Sequence, residues 1–166
     1  MTLEIRGVRP DEYESLARIT VTAYQALDGG DLGDYTDELA DVATRAASTE
    51  VLVAVDDGVL LGGVTFVPGP DNPYAEDLRD GEVGIRMLAV APAAQGRGAG
   101  RALSVACLER ATAAGAGQVA LHSTPWMTTA HRLYESLGFV RTPSRDLRVS
   151  ADLVLMSFLL PLTGPR

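Results

Sequence analysis

The chain has 166 residues, 46% of them apolar, and a net charge of −8. That apolar share supports a core without disulfides or metal, and the acidic balance argues against general nucleic-acid binding, which needs a basic footprint. The lone cysteine, Cys107, excludes an intrachain disulfide and a cysteine-based zinc site, and the complete absence of lysine excludes a Walker A nucleotide site.

Leu3 to Val8 reads as a short first strand. Asp11 caps a helical pattern that runs through Tyr13, Leu16, Ile19, Val21 and Ala23 to Leu27, and Asp28-Gly29-Gly30 ends it. Asp34 to Ala47 reads as a second helix. Glu50 to Val55 and Val59 to Val67 are apolar, β-branched runs joined by Asp56-Asp57-Gly58, a hairpin signal. Pro68 to Gly81 is a loop rich in Pro, Asp and Asn. Glu82 to Val90 is a strand, followed by Pro92, a glycine-rich turn and a helix to about Ala114, stopped by Gly115 and Gly117. Gln118 to Thr124 is a strand, Thr128 to Leu137 a helix ending at Gly138, Phe139 to Arg141 a strand opening and Leu153 to Leu160 the last strand.

No repeat, linker or boundary breaks the pattern, so a single domain over residues 1–166 is expected. The order is of α/β type, but its hairpin-linked strands argue against a uniform doubly wound sheet. The N-terminus shows no signal-peptide pattern, and Leu153 to Leu162, the longest apolar run, is interrupted and too short to span a bilayer. A cytoplasmic protein, without membrane or nucleic-acid partners, is the expectation.

The most informative stretch runs from Leu88 to Arg101, where a strand enters a turn holding Gly96, Gly98 and Gly100 and a helix starts. Alternating glycines let backbone approach a ligand, and the unpaired amides and dipole of a helix N-terminus favour an anion such as a pyrophosphate. Arg97 and Arg101 add charge at its edge. A glycine turn without a ligand is the bland alternative; the strand-turn-helix context and flanking arginines favour the anion site. A Rossmann site is disfavoured by the G-x-G-x-G spacing and by the absence of any Asp or Glu between Ala111 and Thr124 to hold a ribose.

Gln95-Gly-Arg-Gly-Ala-Gly100, after Leu88-Ala-Val90, resembles motif A of the GNAT superfamily of acyl-CoA-dependent N-acyltransferases. Ala130-His-Arg-Leu-Tyr134-Glu-Ser-Leu-Gly138-Phe139 resembles the family's motif B. The resemblance implies a mixed, mostly antiparallel central sheet, splayed at its middle and flanked by about four helices. It implies acetyl-CoA as co-substrate, no metal, and an acetyl group passed to a primary amine on a small molecule or peptide; it is compatible with a homodimer. Gln95, Gly96, Arg97, Gly98, Ala99, Gly100 and Arg101 would hold the pyrophosphate. The backbone of Leu88, Ala89 and Val90 would bond the pantetheine arm, beside a bulge that opens a cleft for the thioester, with the Val90 N–H as a donor to the carbonyl oxygen.

By the same resemblance Tyr134 is the general acid for the leaving thiolate, against the alternative of a ring on the apolar helix face of Ala130, Leu133 and Leu137. Two positions depart from the pattern. Met127 stands where members often carry asparagine, which leaves it, with Ala130, packing against the arm. Gly84 stands where many carry glutamate, and Glu82, on the same strand face, becomes the candidate base. Transfer without a strong protein base is the alternative.

Cys107 reads as buried and structural, and His122 and His131 lack metal-ligand spacing. His131 is an alternative base; Ser123, Thr124 and Trp126 fall at the expected cleft mouth. Asp71, Glu76, Asp77 and Asp80 could steer a cationic amine, and Tyr35 and Tyr74 lie where family members bind acceptors. A non-catalytic acyl-CoA-binding module is the competing function.

Overall fold

The computed structural model describes residues 2–27 and 32–162; the helix stop expected at Asp28-Gly29-Gly30 lies outside them. The described elements are β1 (Glu4–Gly7), α1 (Tyr13–Gln25), α2 (Tyr35–Ala40), α3 (Val42–Ser48), β2 (Glu50–Asp56), β3 (Val59–Val67), β4 (Glu82–Val90), α4 (Ala99–Ala113), β5 (Gln118–Ser123), α5 (Thr128–Ser136), β6 (Val140–Arg141), β7 (Leu147–Ser150) and β8 (Leu153–Pro161). The strands are hydrogen-bonded in the order β1-β2-β3-β4-β5-β8-β6, and β7 also pairs with β8. Pairing is mostly antiparallel, as expected; β4 and β5 are parallel and need the crossover that α4 supplies. The chain forms two compact units interleaved in sequence, so that β4 and α4 each begin in one and end in the other.

The first unit comprises Met1–Phe66 and Ile85–Cys107. Val51, Val53 and Val55 of β2 pack with Leu16 and Val42 from α1 and α3. Leu52 and Ala54, on the opposite face, are also fully buried. Burial on both faces explains why β2 reads as a continuous apolar run rather than an alternation. The hairpin forms as read: Asp57 and Gly58 take φ of 49° and 78°, and Asp56 pairs with Val59.

The helix read from Asp34 to Ala47 is two helices. Asp41 leaves the helical region, and its carboxylate caps α3 by accepting from the Thr44 N–H at 3.1 Å. Arg45, 1% exposed, drives the break. Its guanidinium donates to the carbonyls of Glu38 and Leu39, the last of α2, and to the Thr65 hydroxyl. A buried cation here satisfies carbonyls that a continuous helix would have paired internally.

The second unit comprises Val67–Gly84 and Leu108–Arg166. β5 pairs with β8 along its whole length, from Gln118 opposite Pro161 to Ser123 opposite Met156. Its parallel pairing with β4 spans only Glu82–Gly84 against Gln118–Ala120. Phe158 of β8 and Tyr134 of α5 are buried, with Phe139 just beyond the helix. Gly138, at φ 103°, ends α5, and the Phe139 N–H donates to the Tyr134 carbonyl at 3.0 Å. β7 has no counterpart in the sequence reading: its four residues are mostly exposed, and the alternation from Leu147 to Ser150 is too short to stand out.

Candidate active site

β4 leads out of Val90 through a single 3-10 turn at Pro92–Ala94 into the glycine segment. Gly96 and Gly98 hold φ of 81° and 86°, a left-handed conformation that side chains resist. A Cβ on either would meet no protein atom within 4 Å, so packing does not select these glycines. What remains is backbone conformation and room for a ligand. α4 begins immediately after, with the Ala102 N–H donating to the Gly98 carbonyl at 3.0 Å. The amides of Ala99, Gly100 and Arg101 precede that first bond, at the positive end of a 15-residue helix. Left-handed glycines running into a helix N-terminus are the features on which the expectation of an anion site rests. Of the two rim arginines, Arg97 donates to the Asp56 carboxylate at 2.7 Å, tying the turn to the β2–β3 hairpin.

The end of β4 is irregular. Met87, buried, has φ 55°, an outlier for a long side chain inside a strand. Such an outlier costs of order 1–3 kcal/mol and is retained where surroundings demand it. Beyond it, Ala89 is buried while Leu88 and Val90 are half-buried. The Ala91 N–H donates to the Leu61 carbonyl of β3 at 2.8 Å.

In the second unit Tyr134 is 6% exposed, edge-on to Phe139 at 5.7 Å between centroids and tilted on Phe158 at 6.2 Å. One turn earlier, His131 stacks on Phe158 at 5.2 Å. Its Nε2 lies 3.0 Å from the Thr124 carbonyl oxygen, which only accepts, so that nitrogen carries the proton. The same N–H faces the Ser123 oxygen at 3.1 Å, while the Ser123 hydroxyl donates to the Met127 sulfur at 3.3 Å. Burial lowers the His131 pKa, which leaves a neutral imidazole fastening α5 to the end of β5. Met127 therefore has a local role at the start of α5. Ala130 is half-buried one turn before Tyr134.

Glu82, the expected base, is bonded on both oxygens by donors of the protein itself. It is 5% exposed. Arg145 grips both its oxygens, at 2.6 and 2.8 Å. The Gln118 amide donates at 2.6 Å and the Arg79 N–H at 2.9 Å. Burial pushes its pKa up, but these donors outweigh it and hold the carboxyl at about 2. Arg145 sits in a short 3-10 turn that no motif announces, and it also donates to the Asp77 carbonyl at 2.8 Å. Beside it His122 is buried, with Nε2 3.2 Å from the Arg145 carbonyl and Nδ1 3.6 Å from Glu76. Two of the four acids proposed to steer an amine thus serve the Arg145–His122 cluster. In the first unit, Tyr35 accepts from Arg86 at 3.4 Å, and Arg86 lies 3.6 Å from Glu38.

No group of three or more His, Cys, Asp or Glu that could hold a metal occurs among the described residues. Nor is any described helix long and apolar enough to cross a membrane.

A family model for the acetyltransferase (GNAT) family matches residues 13–139. The chain belongs to the GNAT acetyltransferase family. The structure of yncA from Salmonella typhimurium with its cofactor acetyl-CoA has a TM-score of 0.68 at 23% identity, over 98% of this chain and 95% of that one. An N-acetyltransferase, PaiA, from Thermoplasma acidophilum in complex with coenzyme A has a TM-score of 0.70 at 14% identity, over 95% and 98%. Among curated proteins, a mycothiol acetyltransferase of Thermobispora bispora is 44% identical over 63 residues, 37% of this chain. The matched part is 21% of that relative's length.

Proposed function

We propose that this enzyme transfers an acetyl group from acetyl-CoA to a primary amine by direct attack of the amine on the thioester carbonyl. The observation that carries this reading is the glycine segment, where Gly96 and Gly98 are left-handed, unpacked by protein, and placed at the start of α4. The acetyl-CoA and coenzyme A named for the two solved structures support the same donor.

In this reading the segment from Gln95 to Arg101 holds the pyrophosphate, the backbone of Leu88, Ala89 and Val90 holds the arm, and Met127 and Ala130 pack beside it. The N–C bond forms as the C–S bond breaks. The carbonyl oxygen gains charge and draws on the Val90 N–H. The departing thiolate takes its proton from the Tyr134 hydroxyl. With Glu82 sealed, the amine loses its proton to solvent, so turnover should rise with pH over the range in which the amine itself deprotonates. The acceptor is a small-molecule or peptide amine, and a cytoplasmic setting suits a chain whose one cysteine is buried and has no second cysteine to bridge.

The test is turnover of acetyl-CoA against a broad amine panel, read by free thiol release. Steady release is expected; binding without release would make the chain an acyl-CoA-binding module. Acetyl-CoA should raise the melting temperature by mass action, and NADH should not. Tyr134→Phe keeps the ring and removes the hydroxyl. Its single-turnover rate should fall by roughly 100- to 10,000-fold, the usual worth of positioned proton transfer. An unchanged rate would remove Tyr134 from the chemistry.

A further inference from the structure

The reaction proposed above needs one backbone group held in place, the Val90 N–H, and the structure contains a device for holding it. A Cβ built on Gly62 of β3 would run into the Ala89 carbonyl oxygen and stand 3.0 Å from the Val90 Cα. Only a residue without a side chain lets β3 come this close. The contact falls on one particular peptide unit, the one joining Ala89 to Val90. The chain has no cis peptide among its described residues, so the carbonyl and N–H of that unit point in opposite directions. With the Ala89 oxygen turned toward Gly62, the Val90 N–H is turned to the other edge of β4. The neighbouring residue agrees: the Ala91 N–H bonds back to the Leu61 carbonyl, and successive N–H groups on a strand alternate between its edges.

We infer that Gly62, with the Leu61 carbonyl, is a positioning element for acyl transfer: it clamps the Ala89–Val90 peptide from the carbonyl side and fixes where its N–H points. This rests on the acetyl-transfer reading and deepens it. Preorganised donors are effective because they need no reorientation as charge develops, so a small rotation of this peptide weakens the polarisation of the thioester carbonyl. The next residue is a built-in contrast. A Cβ on Gly63 would meet the Leu16 side chain at 2.7 Å and the Leu52 carbonyl at 3.0 Å, atoms that belong to the core around α1 and β2 and not to the end of β4.

Three variants of the full-length chain test this. Gly62→Ala adds the clashing atom. Ala91→Pro replaces the N–H that bonds to Leu61 with a ring carbon; Ala91 has φ −53° and ψ 135°, which proline accepts, so the bond is lost and Leu61 must move away, which loosens the clamp. Gly63→Ala is the control. Two readouts are used: the single-turnover rate with a competent amine, and the infrared stretch of 13C-carbonyl acetyl-CoA bound to each protein. In wild type the carbonyl stretch should move to lower frequency on binding. Gly62→Ala should lose most of that movement and roughly 10-fold or more in rate, within the roughly 100- to 1,000-fold that a whole oxyanion donor is worth. Ala91→Pro should lose part of both. Gly63→Ala should melt earlier but keep the stretch and a rate within about 2-fold of wild type.

If Gly62→Ala does not fold, Ala91→Pro decides: an unmoved rate and stretch overturn the inference. Equal losses in Gly63→Ala overturn it too, since the effect would then be general to β3. A wild type that releases thiol while both clamp variants match it sinks the clamp and leaves acyl transfer standing. A wild type that releases none sinks acyl transfer, and the carbonyl stretch still judges the clamp: moved in wild type and lost in the variants supports it, any other pattern rejects it.

Discussion

β4 has two ends that do opposite things with similar resources. At its start, Glu82 contributes a full charge, and the protein spends every part of it: two bonds from Arg145, one from Gln118, one from the Arg79 N–H. At its finish, Leu88 to Val90 contribute no charged side chain, and the following turn presents backbone conformations and helix amides. The carboxylate is the more reactive group on paper, yet it is the inert end. A charge taken out of water must be satisfied by its neighbours, and a charge so satisfied has little left for a substrate. Backbone amides at a helix N-terminus lack intrahelical partners, which is why that end is the one proposed to hold the donor.

The largest effect expected from breaking this contrast is on stability, at the start of the strand. Glu82→Gln leaves the Arg145 guanidinium buried against a neutral partner. Breaking a buried pair from one side costs about 3–5 kcal/mol, measurable as a fall in the denaturant midpoint. Acetyl-CoA affinity should be unchanged. Replacing both partners, as Glu82→Leu with Arg145→Met, should recover most of the loss, because no orphan charge remains. A large fall in turnover with intact stability would reverse the assignment and return Glu82 to the chemistry.

The same pair sets an acid limit. The Glu82 carboxyl is held at about 2 against an ordinary 4.5, so its contribution is complete above its ordinary pKa and lost as pH falls from about 4.5 toward 2. Over that window it amounts to roughly 3 kcal/mol. His122 works in the other direction. Burial lowers its pKa, but Glu76 and the Arg145 carbonyl more than compensate, so its net shift is upward. Its stabilisation is present in acid and lost as pH rises through that raised value. Chemical unfolding across pH should show both edges in wild type, and Glu82→Gln should shrink only the acid one, to which Glu12, held at about 2 by its hydrogen bonds from Arg6, also contributes.

These two ends also show what a sequence discloses. The turn that follows β4 was legible because backbone conformation leaves a local trace: Gly96 and Gly98 occur in the sequence where the left-handed turn occurs in space. The element order followed likewise from local patterns, including the Asp57-Gly58 hairpin. The start was not legible, because its chemistry depends on Arg145, 63 positions away in a 3-10 turn without a motif. Seen alone, an acid on a motif strand resembles a base; its partner converts it to a strut. The same distance hid Arg45, whose bonds to Glu38 and Leu39 split one expected helix into two. Adjacent glycines in β3 were a signal of close backbone approach, open to reading from the sequence but silent as to which strand would approach.

At the finish, Gly98→Glu should weaken acetyl-CoA binding by about 100-fold, or about 2.7 kcal/mol. It places bulk and negative charge where phosphates are expected, and it forces a side chain into a conformation with φ 86°. Calorimetry against acetyl-CoA measures the loss, and circular dichroism should report the fold retained, since the added Cβ meets nothing in the protein. Wild-type affinity in this variant would move the phosphate site elsewhere.

The smallest effect concerns the outermost donor on Glu82. Gln118 opens β5, pairs in register with Glu82, and gives its amide N–H to one carboxylate oxygen at 2.6 Å. Unlike Arg145 it is only half-buried, so water can take its place in part. Gln118→Ala should therefore cost about 1 kcal/mol, near the lower end for a bond to a charged group. The sign of the pH effect is fixed even though the size is small. Losing a donor to the ionised form lets the Glu82 pKa rise, so the acid edge of stability must move to higher pH. Acetyl-CoA binding and single-turnover rate should not move, because nothing at the start of β4 is part of the chemistry proposed for its finish. If Gln118→Ala instead shifts the pH dependence of turnover while leaving the acid edge of unfolding in place, the carboxylate takes part in proton transfer after all, and the division between the two ends fails.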